Sequence, residues 1–561
     1  MRWMLCAIVV ALGTLVPSAH ALFERAAGPR GAYALGTIVL LALAAVLPAI
    51  WPRADENASE TPLLPGAAIV SVAGLALLFL VSFRALPAVF AGPLDPNRGD
   101  MLVIIEHAIS RVLDGRNPYA IHHVPWDAPL AYGPVLWLPF VLPHVLQVDL
   151  RILTLVAQLV VPACFVLAAA GRSRHGHIVR ACGLLGLGAA LALNPAMLRF
   201  HEIGHTQIYW PLLLVFAAAM ARQRTMAAAL LLGLLVAART TMVALVPVFF
   251  LHLWATRTLT IKSVAGFVIA AVLPFLPFVL ADPGSVYYGM FGVYLKVMKG
   301  FVWYSTTWTQ NTYGLTGRLL ERGLERYVEI AQGVALASIY TLSWLSLRRG
   351  RRPEPWMVLA LLVFSMTTLW PVGYLYFDVW ILAACSLLAV DGLGSRSTPW
   401  LITRLVSTAA VCAAVVLISA AIRPGASYVL DIGAPAVAGF TGGGFGRDVA
   451  VDDEGRQVVW IEGETARMRM PRAGWGGATI RIAIRPHVPH SGLTQRVSAA
   501  VNGRAFGATT LRDGWQEITF ASRARDWRYG FNVLDLQFSY AVGTERDARP
   551  LSAAIDWVRV E

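Results

Sequence analysis

The sequence predicts a polytopic α-helical membrane protein of about thirteen spans, followed by a C-terminal all-β sandwich. Three observations carry that expectation. The 561 residues are 57% hydrophobic and only 14% charged, with a mean hydropathy of +0.61; a soluble domain has about a quarter of its residues charged. The net charge of +13 sits largely in short Arg clusters between apolar runs, such as Arg172 and Arg174, Arg222 and Arg224, and Arg348, Arg349, Arg351 and Arg352. Cytoplasmic loops carry such clusters under the positive-inside rule. From about Gly425 the apolar runs stop and alternation with a period of two begins.

A span needs roughly 20 apolar residues to cross about 30 Å of hydrocarbon. The runs at 3–22, 33–51, 67–90, 150–171, 178–194, 208–222, 226–238, 241–255, 263–282, 328–347, 355–370, 374–391 and 401–422 meet or approach that length. Arg239, Thr240 and Thr241 divide one long run into the short pair 226–238 and 241–255. With Arg2 inside, this division places the basic loops at 52–66, 172–177, 222–225, 256–262, 348–354 and 392–400 on the cytoplasmic side. An undivided run would split the clusters between both sides. The first run, ending in Ala19-His20-Ala21, also has the layout of a signal peptide. An uncleaved helix is expected, and the downstream topology is the same either way.

The expected organisation is therefore an N-terminal helical segment at 1–66, a transmembrane domain at 67–424 and an extracytoplasmic sandwich at 425–561. Segments 91–149 and 283–327, the loop near His201 and the corner near Trp370 all face outward. Because the basic residues lie in connectors, they do not point to nucleic acid. Cys6, Cys164, Cys182, Cys385 and Cys412 all lie in apolar runs and read as small buried hydrophobes rather than a disulfide framework.

In the tail, strands are expected over 478–484, 496–501 and 532–538, separated by turns at Asn502-Gly503 and Asp513-Gly514. Trp475, Trp515, Trp527 and Tyr529 either stack on sugar rings or belong to the sandwich core.

In the first external segment, Met101 to Leu113 has the apolar spacing of a helix lying along the membrane surface. Asp114-Gly115 ends it, and Asn117-Pro118-Tyr119 and Tyr132-Gly133-Pro134 turn the chain back. Asp95 and Asp100 precede it at the water–lipid boundary, where a carboxylate can act as a base or simply cap a helix. Arg239 lies between two short apolar spans, a costly position unless it pairs or meets a ligand. A structural ion pair is the alternative to a ligand-binding role. Lys296 and Lys299 have snorkelling as theirs.

His201-Glu202-Ile203-Gly204-His205 satisfies the zinc-protease pattern H-E-x-x-H. It lies in a loop between Asn194-Pro195 and Trp210-Pro211, however, and Asp391, a tempting third ligand, belongs to the opposite side. No metal site is expected.

The acidic start of the first large external loop, the surface helix ending in DGRNPY and the following YGP resemble the GT-C superfamily of membrane glycosyltransferases. GHTQIYWPLLLVFAAAMARQRTMAAALLLGLLVAARTTMVALVPVFFL, TWTQNTYGLTGRLL and WPVGYLYFDVWIL follow in matching order. The nearest group is the polyprenol-phosphate-mannose-dependent glycosyltransferase family 87, and the resemblance spans roughly 67 to 391. It implies sugar transfer from a polyprenyl-phosphate donor to a glycolipid or polysaccharide acceptor, on the extracytoplasmic face of a bacterial plasma membrane. Asp100 matches the family's catalytic carboxylate, with Asp95 as the alternative, and inversion would follow. Arg239, Arg318, Lys296 and Lys299 would contact donor phosphate. His201, Glu202, His205, Gln207, Gln310, Asn311, Tyr376 and Asp378 would line the acceptor and sugar cavity. No cofactor is required, although a divalent cation is compatible with the chemistry. The tail, with VNG, DGWQEITF, WRYGFNVLDLQF and SAAIDWVRV in order, resembles a galactose-binding-like jelly roll, a fold that often holds sugar. A non-catalytic transporter or flippase for lipid-linked sugars is the main rival, and an intramembrane zinc protease the distant third.

Overall fold

Each of the thirteen apolar runs forms helix in the computed structural model. The structure describes residues 2–52, 67–90, 94, 99–123, 126–146, 148–174, 178–203, 205–295, 312–369, 374–390, 398–421, 427–434, 437, 440–452, 455–472, 476–488, 493–528, 530–543 and 548–561. The helices are α1 (Arg2–Leu15), α2 (His20–Ile50), α3 (Ala67–Phe90), α4 (Met101–Leu113), α5 (Leu150–Arg174), α6 (Ile178–Ala192), α7 (Pro195–Ile203) and α8 (Trp210–Ala221). They continue with α9 (Thr225–Ala238), α10 (Val246–Ala255), α11 (Ile261–Val272), α12 (Val328–Leu347), α13 (Glu354–Thr367), α14 (Leu375–Leu388) and α15 (Thr398–Ala421).

Among the described residues, six helical stretches are long and apolar enough to cross a membrane: Arg2–Pro29, Gly31–Ile50, Ala68–Leu86, Leu150–Arg172, Ile261–Ala281 and Glu325–Leu347. Ile261–Ala281 and Glu325–Leu347 each bury only 11% of their apolar window inside the protein. Exposing that surface to water would cost about 25 cal/mol per Å², so its natural solvent is lipid. The chain also stays helical between the first two expected spans, where a loop was anticipated. Gly28, at φ +73°, breaks that helix, and Pro29 begins the next turn.

The shorter helices lie inside. Nearly every residue of α13 and every residue of α14 is buried, as befits helices apolar on all sides. A fourteen-residue helix is only about 21 Å long, so the end of α14 falls short of a full membrane thickness. At Arg239 the backbone is extended (φ −145°, ψ 122°), which separates α9 from the following turn at Thr240–Leu245. This is the division that the polar triplet predicts.

The tail forms two antiparallel sheets. One is ordered Gln516–Ser522, Ala478–Pro486, Leu551–Val560, Gln457–Glu462 and Phe445–Val451, with Tyr428–Asp431 also on Leu551–Val560, and the other Thr465–Arg472, Gly530–Phe538, Arg496–Val501 and Arg504–Thr510. After the short hairpin of β1 (His122–His123) and β2 (Asp127–Ala128), the strands are β3 (Tyr428–Asp431), β4 (Phe445–Val451), β5 (Gln457–Glu462), β6 (Thr465–Arg472), β7 (Ala478–Pro486) and β8 (Arg496–Val501). β9 (Arg504–Thr510), β10 (Gln516–Ser522), β11 (Gly530–Phe538) and β12 (Leu551–Val560) complete the set. Ile480, Ile482 and Ile484 meet Val497, Val501, Leu534 and Leu536 in one core. Asn502 (φ +52°) and Gly503 (φ +77°) make the β8–β9 turn, both in the left-handed region that an Asn-Gly hairpin requires. Trp527 packs on this core and donates from Nε1 to Ser522 at 2.6 Å. Trp515 instead donates to Asp452 at 2.7 Å, with Arg456 over its ring. Trp475 and Tyr529 lie outside the described residues.

Candidate functional site

The segment after α4 is tied down by the residues of its two turn motifs. The Asn117 side chain accepts from the Tyr119 N–H at 2.9 Å and donates to Asp282 at 3.2 Å. The Tyr119 hydroxyl donates to the Tyr132 carbonyl at 3.0 Å and accepts from the Trp137 indole at 3.3 Å. Gly133 then docks on the end of α9, its N–H donating to Ala238 O at 3.3 Å. A Cβ at Gly133 would lie 1.8 Å from the Ala237 carbonyl oxygen. Backbone cannot rotate out of the way as a side chain can, so Gly133→Ala is expected to unseat the segment. The expected loss is about 1–3 kcal/mol or more, visible as a lower Tm.

This docking fixes Tyr132, which lies within electrostatic reach of Asp100. Asp100 occupies the residue before α4, yet its side chain makes no capping hydrogen bond. The capping role that sequence alone allows is therefore not the one it plays. Burial raises the Asp100 carboxyl above its ordinary value, partly offset by a hydrogen bond from its own backbone N–H. If Asp100 accepts a proton in the reaction, the rate should climb with pH along a limb displaced upward from the usual carboxylate range near pH 4. A pH–rate profile measures it, and a limb at or below pH 4 would contradict the assignment. The linkage has the opposite sign. The folded state keeps this proton to higher pH than the unfolded chain, so the group's contribution to stability declines as pH rises from the ordinary value through the raised one.

Arg239 belongs to the same neighbourhood. Tyr132 and Tyr294 each lie within electrostatic reach of both Asp100 and Arg239. Asp378, near the start of α14 and only 3% exposed, lies behind Arg239. Its carboxylate accepts from the Tyr209 hydroxyl at 2.6 Å and the Trp210 indole at 2.8 Å, and faces Arg239 Nε at 3.6 Å. A charge-assisted hydrogen bond is about 2.7–2.9 Å long, so this pairing is loose. The Arg239 guanidinium also lies over the rings of Tyr209 (5.6 Å) and Tyr374 (5.2 Å), contacts worth about 0.5–2 kcal/mol each. Among the described residues Arg239 thus has a loose ion-pair partner in Asp378 and two flanking rings.

The His205-Thr206-Gln207 stretch is buried beside this group. The His205 ring lies against Phe200 and Tyr374, 4.3 Å from each centroid, and its carbonyl accepts from Thr154 at 2.9 Å. Among the described residues, His205 Nδ1, Thr206 Oγ1 and Gln207 Oε1 are buried without a hydrogen-bond partner. An unmet buried polar group costs about 1–3 kcal/mol, and three in succession mark a place where a polar ligand would be favoured. α7, which carries His201 and Glu202, ends at Ile203, and His205 follows it. The two histidines therefore do not lie one turn apart on a continuous helix, as a zinc-protease motif requires.

Arg318 and Tyr376 belong to a second cluster. Tyr376 donates to the Tyr313 carbonyl at 2.8 Å, and Arg318 donates to Glu321 at 2.8 Å. Tyr313 in turn meets His20 and Tyr33. Asp95, Lys296, Lys299, Gln310 and Asn311 lie outside the described residues, as do the side chains of His201 and Glu202. The residues that sequence reasoning passed over are the tyrosines 132, 209, 294 and 374. All four lie in or beside motifs singled out for their charges, glycines or prolines. A phenol at a helix end gives no periodicity signal, so only the fold brings the four together.

No family model matches the chain, and no curated protein matches it. Among solved structures, the C-terminal sandwich is similar to the CBM36-1 domain of a multidomain xylanase from the hindgut metagenome of Trinervitermes trinervoides. That match has 13% identity and a TM-score of 0.17, and covers 24% of this chain and 97% of that one. The C-terminal CBM6 of LamC, a marine laminarinase from Zobellia galactanivorans, is similar at 12% identity and a TM-score of 0.17, with 24% and 98% covered.

Proposed function

We propose that the chain is a membrane glycosyltransferase of the GT-C type, using a polyprenyl-phosphate sugar on the extracytoplasmic face. All thirteen apolar helices then span or enter the bilayer, and the Arg clusters lie in the cytoplasm. The observation that supports the reading is that Asp100 and Arg239, far apart in sequence, have Tyr132 and Tyr294 as common neighbours. Asp100 takes the proton from an acceptor hydroxyl while that oxygen attacks the anomeric carbon. The carbon–oxygen bond to phosphate breaks, its electron pair leaves with the polyprenyl phosphate, and the anomeric configuration inverts. The guanidinium of Arg239 meets the departing phosphate, for which a planar two-nitrogen donor is well suited. His205, Thr206 and Gln207 supply unpaired polar atoms for sugar hydroxyls. Mannose or a similar sugar is the donor class that the family resemblance favours. The sandwich holds acceptor glycan, whether lipid-linked or polysaccharide.

Purified protein in lipid nanodiscs, supplied with a polyprenyl-phosphate mannose and a mannose-containing glycolipid acceptor, tests the reading. Release of polyprenyl phosphate in step with glycosylated acceptor is expected. Movement of intact donor across the bilayer without release would favour the transporter instead.

A further inference from the structure

We infer that the outer face of the larger sheet carries a binding cleft for a single neutral sugar unit, centred on Trp460. The inference deepens the acceptor-holding role proposed for the sandwich and rests on it. Strand register builds the cleft. Ala554 of β12 is paired with Trp460 of β5 on one side and Arg485 of β7 on the other. Directly paired residues project to the same face, so these three form a line across three strands. Their neighbours Val459, Ile461, Ile484 and Ile555 are in the sandwich core, which turns the line outward. Trp460 and Arg485, one strand to either side of the buried Ala554, both line a cleft on this face. His487 meets the Trp460 ring edge-on at 5.6 Å and steadies it. Asp452 and Asp513 complete a cleft of about 280 Å³.

The lining selects the ligand. Two carboxylates face one guanidinium and one imidazole, so no excess of positive charge is present to hold an anion. The volume lies at the small end of ligand pockets, too small for a folded partner. An indole flanked by both acceptors and donors suits a ring with an apolar face and several hydroxyls.

The test uses the full-length protein in detergent micelles and isothermal titration with short mannan, arabinan, galactan and β-glucan oligosaccharides. At least one is expected to bind, with affinity falling tenfold or more in Trp460→Ala and largely restored in Trp460→Phe. Binding by none of the four, or undiminished binding in Trp460→Ala, would overturn the cleft. Sugar transfer is measured on the same wild-type preparation. Oligosaccharide binding without transfer would support the cleft and sink the transferase, whereas transfer without oligosaccharide binding would do the reverse.

Discussion

Asp100→Asn is expected to lower sugar transfer by about a hundred- to ten-thousandfold, the usual contribution of a positioned general base. The substitution is nearly isosteric and removes no helix cap, because the Asp100 side chain makes no capping bond. Burial already disfavours the Asp100 charge, so replacing it with a neutral amide should leave Tm unchanged or raise it slightly. The prediction is thus a loss of rate without a loss of fold, read from a transfer assay and a melting curve on one preparation. Wild-type turnover in this variant would remove Asp100 from the mechanism. A fall in Tm matching the fall in rate would mark it as structural.

The second large effect concerns Arg239, where two roles make different predictions. As a structural partner of Asp378 alone, it should matter for stability and little for the rate per folded molecule. As a phosphate ligand, it should matter for rate even when its charge is kept. Arg239→Lys separates them. The ammonium can still neutralise Asp378, but it lacks the planar fork and the stacking between Tyr209 and Tyr374. Loss of one preorganised donor to a developing negative charge costs about a hundred- to thousandfold, and that fall is expected with the fold retained. Arg239→Ala should be harsher, since it strands the Asp378 carboxylate. Breaking a buried pair from one side costs about 3–5 kcal/mol, so a marked drop in Tm should accompany the loss of activity. Near-wild-type turnover in Arg239→Lys would leave only the ion pair.

Much of the fold could be read from the sequence because its signals are local. Span length, interruption by Arg239 and Thr240, and period-two strands each depend on a few neighbouring residues. The helical stretch through Gly28 could not be read this way. A Gly-Pro pair announces a break, but not that helix continues on both sides of it. The site was legible only in part, for a related reason. Asp100 and Arg239 are conspicuous as charges beside apolar segments, whereas Tyr132, which both influence, is positioned by Gly133 seating on α9 and by Tyr119 tying two turns together. Asp378 was visible as a carboxylate in an apolar helix. That it stands behind Arg239, held by Tyr209 and Trp210, follows from the packing of α14 against α8. Arg318, a less strongly argued phosphate candidate than Arg239, donates to Glu321 and the Thr312 carbonyl beside Tyr313.

In the proposed mechanism Arg239 holds the donor's phosphate, and native mass spectrometry of the nanodisc-released protein with a polyprenyl monophosphate tests that role most directly. One bound polyprenyl phosphate per wild-type chain, with occupancy falling at least tenfold in Arg239→Lys at the same lipid concentration, is the predicted result. Equal occupancy in the two proteins would contradict it.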